Sequence, residues 1–227
     1  MTPFVTSRRS HAGRMPSTLV RAAAAAALTI MLAACGSSPP THFYTLSGAA
    51  RTSPGPADGT TGVAGPVMPA APYAVEVGPV AVPEQVDRPQ FVTGHAPGQV
   101  NILEETRWAA PLKNELTSAL SGALTQRLGA IDVWGLPRAD ALPVYRVSTS
   151  VQRFDSAPGE QAGLAAVWTV RRVPGDVLLT CRFTGAEAAP GGIDALVAAH
   201  RRLVDRLAAV VATAISTSAQ GQTPRCG

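Results

Sequence analysis

Histidine is scarce in this chain of 227 residues: His11, His42, His95 and His200 are the full set, and no two are spaced His-x-x-x-His. That scarcity removes local support for a metal centre and leaves few bases to activate a nucleophile. The only lysine is Lys113, one residue after Leu112 on a segment that reads as a structural helix. No Gly-x-Ser-x-Gly elbow, phosphate loop or Cys-x-x-Cys pair occurs, so the usual signatures of hydrolases, nucleotide enzymes and dithiol enzymes are missing. Long apolar runs are also absent. Even Leu19–Ala34, at about 1.5 Å per residue, falls short of a hydrocarbon layer of roughly 30 Å, which argues against a retained spanning helix. Excess charge is an illusion of one segment. Of 19 basic and 15 acidic residues, Arg8, Arg9, Arg14 and Arg21 lie in residues 1–34, which hold no acid. The remainder balances at 15 against 15, so no basic stripe remains to neutralise phosphates and nucleic acid is excluded as a partner.

What residues 1–34 do contain is an export pattern. After the arginines, Ala22–Ala34 supplies a 13-residue stretch that is apolar except for Thr29, the length of a secretory signal core. Leu32-Ala33-Ala34-Cys35-Gly36 then resembles a bacterial lipobox. The small residues suit a peptidase cleft, with cleavage expected between Ala34 and Cys35. The Cys35 thiol is the expected acceptor of a diacylglyceryl group, and burial of about 0.8 kcal/mol per methylene makes two or three chains a lasting anchor. An ordinary signal peptide with an incidental cysteine is the bland alternative. In lipoproteins of this class Gly at the position of Gly36 permits export to the outer membrane, whereas Asp retains. The expected location is therefore the outer membrane, lipid-anchored, on the periplasmic face. Ser7-Arg8-Arg9 lacks the apolar residues of a twin-arginine signal, and Met15 is an alternative start.

Beyond Cys35 the chain divides by composition. Residues 35–47 form a lipidated N-terminus with a candidate strand in Thr41–Leu46. Residues 48–72 contain five Gly and five Pro among 25 residues and read as a flexible spacer, or as a long loop should the candidate strand join a sheet. Residues 73–218 read as one domain and residues 219–227 as a tail. Within the domain, Val75–Val82 suggests a strand broken at Gly78-Pro79, and Arg88–Val92 with Gln99–Leu103 suggests a hairpin across His95–Gly98. Trp108, Leu112, Leu116, Leu120, Leu124 and Leu128 recur every four residues, the stripe of a helix stopped by Gly129. Glu104 and Glu105 are expected to complement that helix's dipole rather than to catalyse. Further strands are expected at Ile131–Trp134, Val144–Phe154, Leu164–Arg172 and Val177–Thr184, the last three joined through Pro158-Gly159 and Pro174-Gly175. A second helix is expected over Gly192–Ser216, with His200 a residue at its boundary. The sum is an α+β, two-layer domain: a mostly antiparallel sheet with two long helices on one face. Cys181 and Cys226 are candidates for a disulfide in an oxidising compartment, although the alternation Leu179, Cys181, Phe183 equally suits a buried thiol.

The order of several short segments carries a resemblance. The lipobox, Phe43-Tyr44-Thr45-Leu46, Val75-Glu76-Val77-Gly78-Pro79-Val80, Pro83, Asp87-Arg88-Pro89-Gln90-Phe91-Val92, Arg107-Trp108-Ala109, Pro111-Leu112 and Val167-Trp168 together resemble the auxiliary lipoproteins of ABC-type transport systems, the PqiC-like group. The resemblance implies a non-enzymatic periplasmic component without cofactor beyond the covalent lipid on Cys35. It implies partnership with an MCE-domain tunnel protein backed by an ABC permease and ATPase, lipid as cargo, and homo-oligomeric rings. Asp87, Arg88, Pro89, Gln90, Arg107 and Trp108 are the candidate partner-binding residues, although Trp108 equally suits the core. Two rival classes stand beside this one: an envelope hydrolase, opposed by the histidine shortage, and a stand-alone assembly lipoprotein of the pilotin kind.

Overall fold

The computed structural model describes residues 39–48, 71–94, 98–137 and 142–226. The expected leader, the Ala34/Cys35 cleavage site, residues 49–70 of the spacer and His95 lie outside the described residues. In chain order the elements are β1 (His42–Tyr44), β2 (Ala74–Val77), β3 (Gln90–Thr93), β4 (Asn101–Trp108), α1 (Leu112–Leu128), β5 (Val144–Ala157), β6 (Gln161–Val173), β7 (Val177–Ala188) and α2 (Ile193–Ala219).

The turn dipeptides set the larger sheet. Pro158-Gly159 and Pro174-Gly175 join β5, β6 and β7 into an antiparallel meander. Gly159 and Gly175 take positive φ values of 79° and 144°, a region open to glycine at little steric cost. The strand order is β2-β5-β6-β7, with β2 parallel to β5 from Ala74 opposite Val144 to Val77 opposite Val147. Alternate residues of these strands, including Val147, Leu164, Ala166, Trp168, Val170, Cys181 and Phe183, turn inward and are buried.

Both helices cover that inner side. α1 buries Leu112, Leu116, Leu120 and Leu124, and stops at Gly129, whose φ of 62° and ψ of 21° form the left-handed C-terminal cap. α2 buries Leu196, Leu203, Leu207, Val211 and Ile215. Close approach marks one position: a Cβ on Gly185 would sit 2.8 Å from Leu203 Cδ2, so glycine leaves room for that side chain where α2 crosses β7.

The α+β class and the two packed helices are as expected, but the strands divide into two sheets. β1, β4 and β3 form a separate three-stranded sheet in the order β1-β4-β3. The β3–β4 hairpin is antiparallel, while β1 runs parallel to β4, with His42 opposite Thr106 and Tyr44 opposite Trp108. Residues 41–46 are thus part of the folded unit.

Three local expectations need correction. Trp108 ends β4 instead of opening the helical stripe, because Pro111 begins the helix after it and the Trp108 amide bonds to Pro89 O at 2.7 Å. Glu104 and Glu105 consequently lie within β4 and do not cap a helix. Ile131–Trp134 forms no strand; it contributes one parallel bridge, Val75 with Asp132. Asp132 instead uses its carboxylate locally, accepting from Ser121 Oγ at 2.5 Å and from the Val77 and Trp134 amides.

Candidate functional site

The sequence-predicted contact residues converge on one corner. Asp87, Arg88 and Pro89 lead into β3, Gln90 opens it, and Arg107 and Trp108 close β4; the ladder places Gln90 opposite Arg107. Gln90 Nε2 donates to Glu104 Oε2 at 3.3 Å, and the Arg107 guanidinium lies 3.8 Å from the same oxygen. Lys113, at the start of α1, pairs with Asp87 at 3.4 Å. Exposed pairs of this kind contribute little to stability, so they leave Arg107 and Lys113 able to exchange partners. Pro89 is exposed and Asp87, Arg88, Gln90 and Arg107 are half-buried. Trp108 differs from them: it is 3% exposed and belongs to the core.

Behind the corner runs a column of rings drawn from separate elements. Phe91 packs on Trp108 with centroids 4.6 Å apart, Tyr44 meets Phe91 at 6.5 Å, and Trp108 meets Phe154 at 6.2 Å. Phe154 stacks on His200 at 3.8 Å with planes 9° apart. His200 is therefore no boundary residue. It is 1% exposed, and its Nε2 lies 2.8 Å from Ser156 Oγ, while Nδ1 has no hydrogen-bond partner among the described residues. Burial drives its pKa down to about 3.

A serine beside a histidine raises the question of nucleophilic catalysis. An imidazole with a pKa of about 3 holds a proton in only about one molecule in ten thousand at pH 7, far from the range suited to a general base. The base also lacks an orienting partner on Nδ1. The pair is suited to satisfying two buried polar groups inside the core, not to activating a hydroxyl. Ser156 and His200 are 44 residues apart, and no local spacing advertised their meeting.

A second cluster, also unmarked in the sequence, fastens β1 to the helices. Glu115, buried on α1, accepts from Thr45 Oγ1 at 2.7 Å and from the Leu46 amide at 2.8 Å. Arg201 of α2 donates to Thr45 O through Nε at 3.1 Å and Nη2 at 2.6 Å. The Tyr44 phenol is raised above its usual pKa by burial and by a hydrogen bond to Asp194. Charge-assisted bonds to a buried carboxylate are among the stronger ones, so the short β1 is held by side chains more than by its three-residue ladder. At the other terminus a disulfide joins Cys181 of β7 to Cys226, with Cα atoms 5.6 Å apart. Among the described residues no group of His, Cys, Asp and Glu could hold a metal ion, and no helix is long and apolar enough to cross a membrane.

Residues 44–212 match the family of ABC-type transport auxiliary lipoprotein components. The chain belongs to that family. The match starts at the last residue of β1 and ends within α2, so β2 to β7 and α1 of this auxiliary lipoprotein fall wholly inside it. An uncharacterized protein of known crystal structure is similar in fold, with a TM-score of 0.58 at 18% identity, over 78% of this chain and 99% of that one. A Xanthomonas campestris protein of the DUF330 family is similar with a TM-score of 0.53 at 19% identity, over 66% of this chain and 87% of its own. The PelC dodecamer from Paraburkholderia phytofirmans is a weaker likeness, with a TM-score of 0.37 at 14% identity, over 61% of this chain and 87% of that one. No protein of curated function matches the sequence.

Proposed function

We propose that this auxiliary lipoprotein is a non-enzymatic periplasmic component of an ABC transport system that moves lipid between membranes. In this reading it is anchored to the outer membrane through Cys35, works with an MCE-domain tunnel protein, and assembles as a homo-oligomeric ring. The observation that carries the reading is the family match over residues 44–212. The lipobox at Leu32–Gly36 and the position of Gly36 support the anchor and its destination. A corner where Gln90, Arg107 and one Asp87 oxygen make only weak exposed pairs, and where Arg88 Nε and Asp87 Oδ1 are buried without a hydrogen-bond partner among the described residues, supports Asp87, Arg88, Gln90 and Arg107 as the contact with the tunnel protein. These charges can change partners at small cost, which suits a contact made and broken during transport.

The test is a photocrosslinker at position 88 in cells carrying the transport system, with a second at Thr213 on α2 as control. Crosslinks from position 88 to the MCE-domain protein, absent from Thr213, are the expected result. Crosslinks only to cytosolic or unrelated proteins overturn the assignment. Lipid analysis of the protein purified in detergent, with the MCE protein among the co-purified chains, tests the cargo class.

A further inference from the structure

The small sheet has an outer side with apolar residues that stay exposed among the described residues. Phe91 points inward and is fully buried, so its neighbour Val92 points outward, and Ile102 stands opposite Val92. Tyr44 meets the inward Phe91 edge-on, which turns Phe43 outward by the alternation of the strand. Phe43 is 66% exposed, Val100 62% and Ile102 41%. Phe43 and Ile102 belong to one sheet, and Val100 immediately precedes its strand β4.

The direction of β1 says what lies beside them. β1 is parallel to β4 and pairs with its last three residues, His42 opposite Thr106, so the chain leading into β1 comes from the side of Ile102. Thr41, the residue before β1, donates from its hydroxyl to Glu105, midway along β4, at 3.0 Å. Only six peptide steps separate Thr41 from Cys35, a reach of at most about 22 Å. A lipid on Cys35 therefore keeps this end of the sheet close to a bilayer surface. Ile131 and Val177 are exposed elsewhere, and a second exposed apolar group, around Trp134 and Leu136, borders Gly78, Pro79 and the Glu76–Arg146 ion pair on the margin of the large sheet.

We propose that Phe43, Val100 and Ile102 rest in the phospholipid surface to which Cys35 tethers the chain, fixing the orientation of the domain on the membrane. The proposal rests on the lipid-anchor reading above. The exposed acids Glu104 and Glu105 flank these residues, so the contact is apolar insertion into neutral phospholipid and not attraction to anionic headgroups.

The native tryptophans make a built-in control. Trp108 and Trp168 are buried, whereas Trp134 is 47% exposed on the other patch. The lipidated full chain is reconstituted in phosphatidylcholine vesicles with and without bromine on the acyl chains, which quenches only indole immersed in lipid. Three proteins are compared: the native chain, Phe43→Trp with Trp134→Phe, and Ile102→Trp with Trp134→Phe, each with its thermal midpoint measured to establish folding. Because Trp108 and Trp168 still emit, brominated lipid is expected to lower the total emission of both substituted proteins by about a third and to leave the native chain nearly unchanged. Unquenched probes at 43 and 102, or equal quenching of native Trp134, overturn the proposal. Intact mass separates the two readings: a chain without acyl groups on Cys35 overturns the anchor, while an acylated chain with unquenched probes overturns this orientation alone.

Discussion

Acidification should destabilise this protein through one residue. His200 is 1% exposed and pressed against Phe154, and its burial lowers the folded-state pKa to about 3, against about 6.5 in the unfolded chain. Between these values the unfolded state binds the extra proton, so stability falls as pH drops below about 6.5 and is level above it. From pH 8 to pH 5 the loss from this group is about 2 kcal/mol, and each further unit removes about 1 kcal/mol more until the folded-state pKa is reached. The assay is urea unfolding at pH 8 and pH 5 for the native chain and for His200→Gln, which keeps a polar group near Ser156 but does not titrate. His200→Gln is expected to be less stable at pH 8 yet to lose about 2 kcal/mol less than the native chain on acidification, since the other titrating groups cancel in the comparison. Equal losses in the two proteins, within about 0.5 kcal/mol, would refute the claim that buried neutral imidazole governs the acid limb.

Removing the clamp on β1 should loosen the N-terminal segment before the rest. Glu115→Ala leaves the Thr45 hydroxyl and Leu46 amide without their acceptor and is expected to cost about 2–3 kcal/mol, with hydrogen exchange accelerating first at residues 42–46. Trp108→Ala empties the middle of the ring column and should cost about 3–5 kcal/mol in urea unfolding, whereas Arg107→Ala at the neighbouring position should cost under about 1 kcal/mol. Cys226→Ser opens a link spanning 45 residues; chain-entropy arithmetic sets an upper value of about 4 kcal/mol, read as a lower unfolding midpoint that added reductant no longer shifts. Cys35→Ala should move the folded protein from the membrane to the soluble periplasmic fraction, and retention on the membrane would contradict the anchor.

The helices and the meander were legible because their signals are local. A leucine every four residues ending at Gly129 specifies α1, and the Pro-Gly pairs separate β5, β6 and β7 whatever surrounds them. Trp108 shows where such reading fails. It lies four residues before Leu112 and fits the same period, but Pro111 lies between, and the Pro89 carbonyl competes for its amide. The division into two sheets was hidden for a related reason, since the parallel pairings β1 with β4 and β2 with β5 join segments some 65 to 70 residues apart, and alternation along a strand says nothing of its partner.

The sequence by itself determined the family, the α+β class, the candidate anchor and the identity of the corner residues, because composition, periodicity and motif order are properties of neighbours along the chain. Only the tertiary structure decided that Trp108 faces inward while Arg107 faces out, that His200 meets Ser156, and that Glu115 and Arg201 tie β1 to the helices. Each of these depends on desolvation and hydrogen bonding between distant segments, and those energies exist only once the segments are packed together.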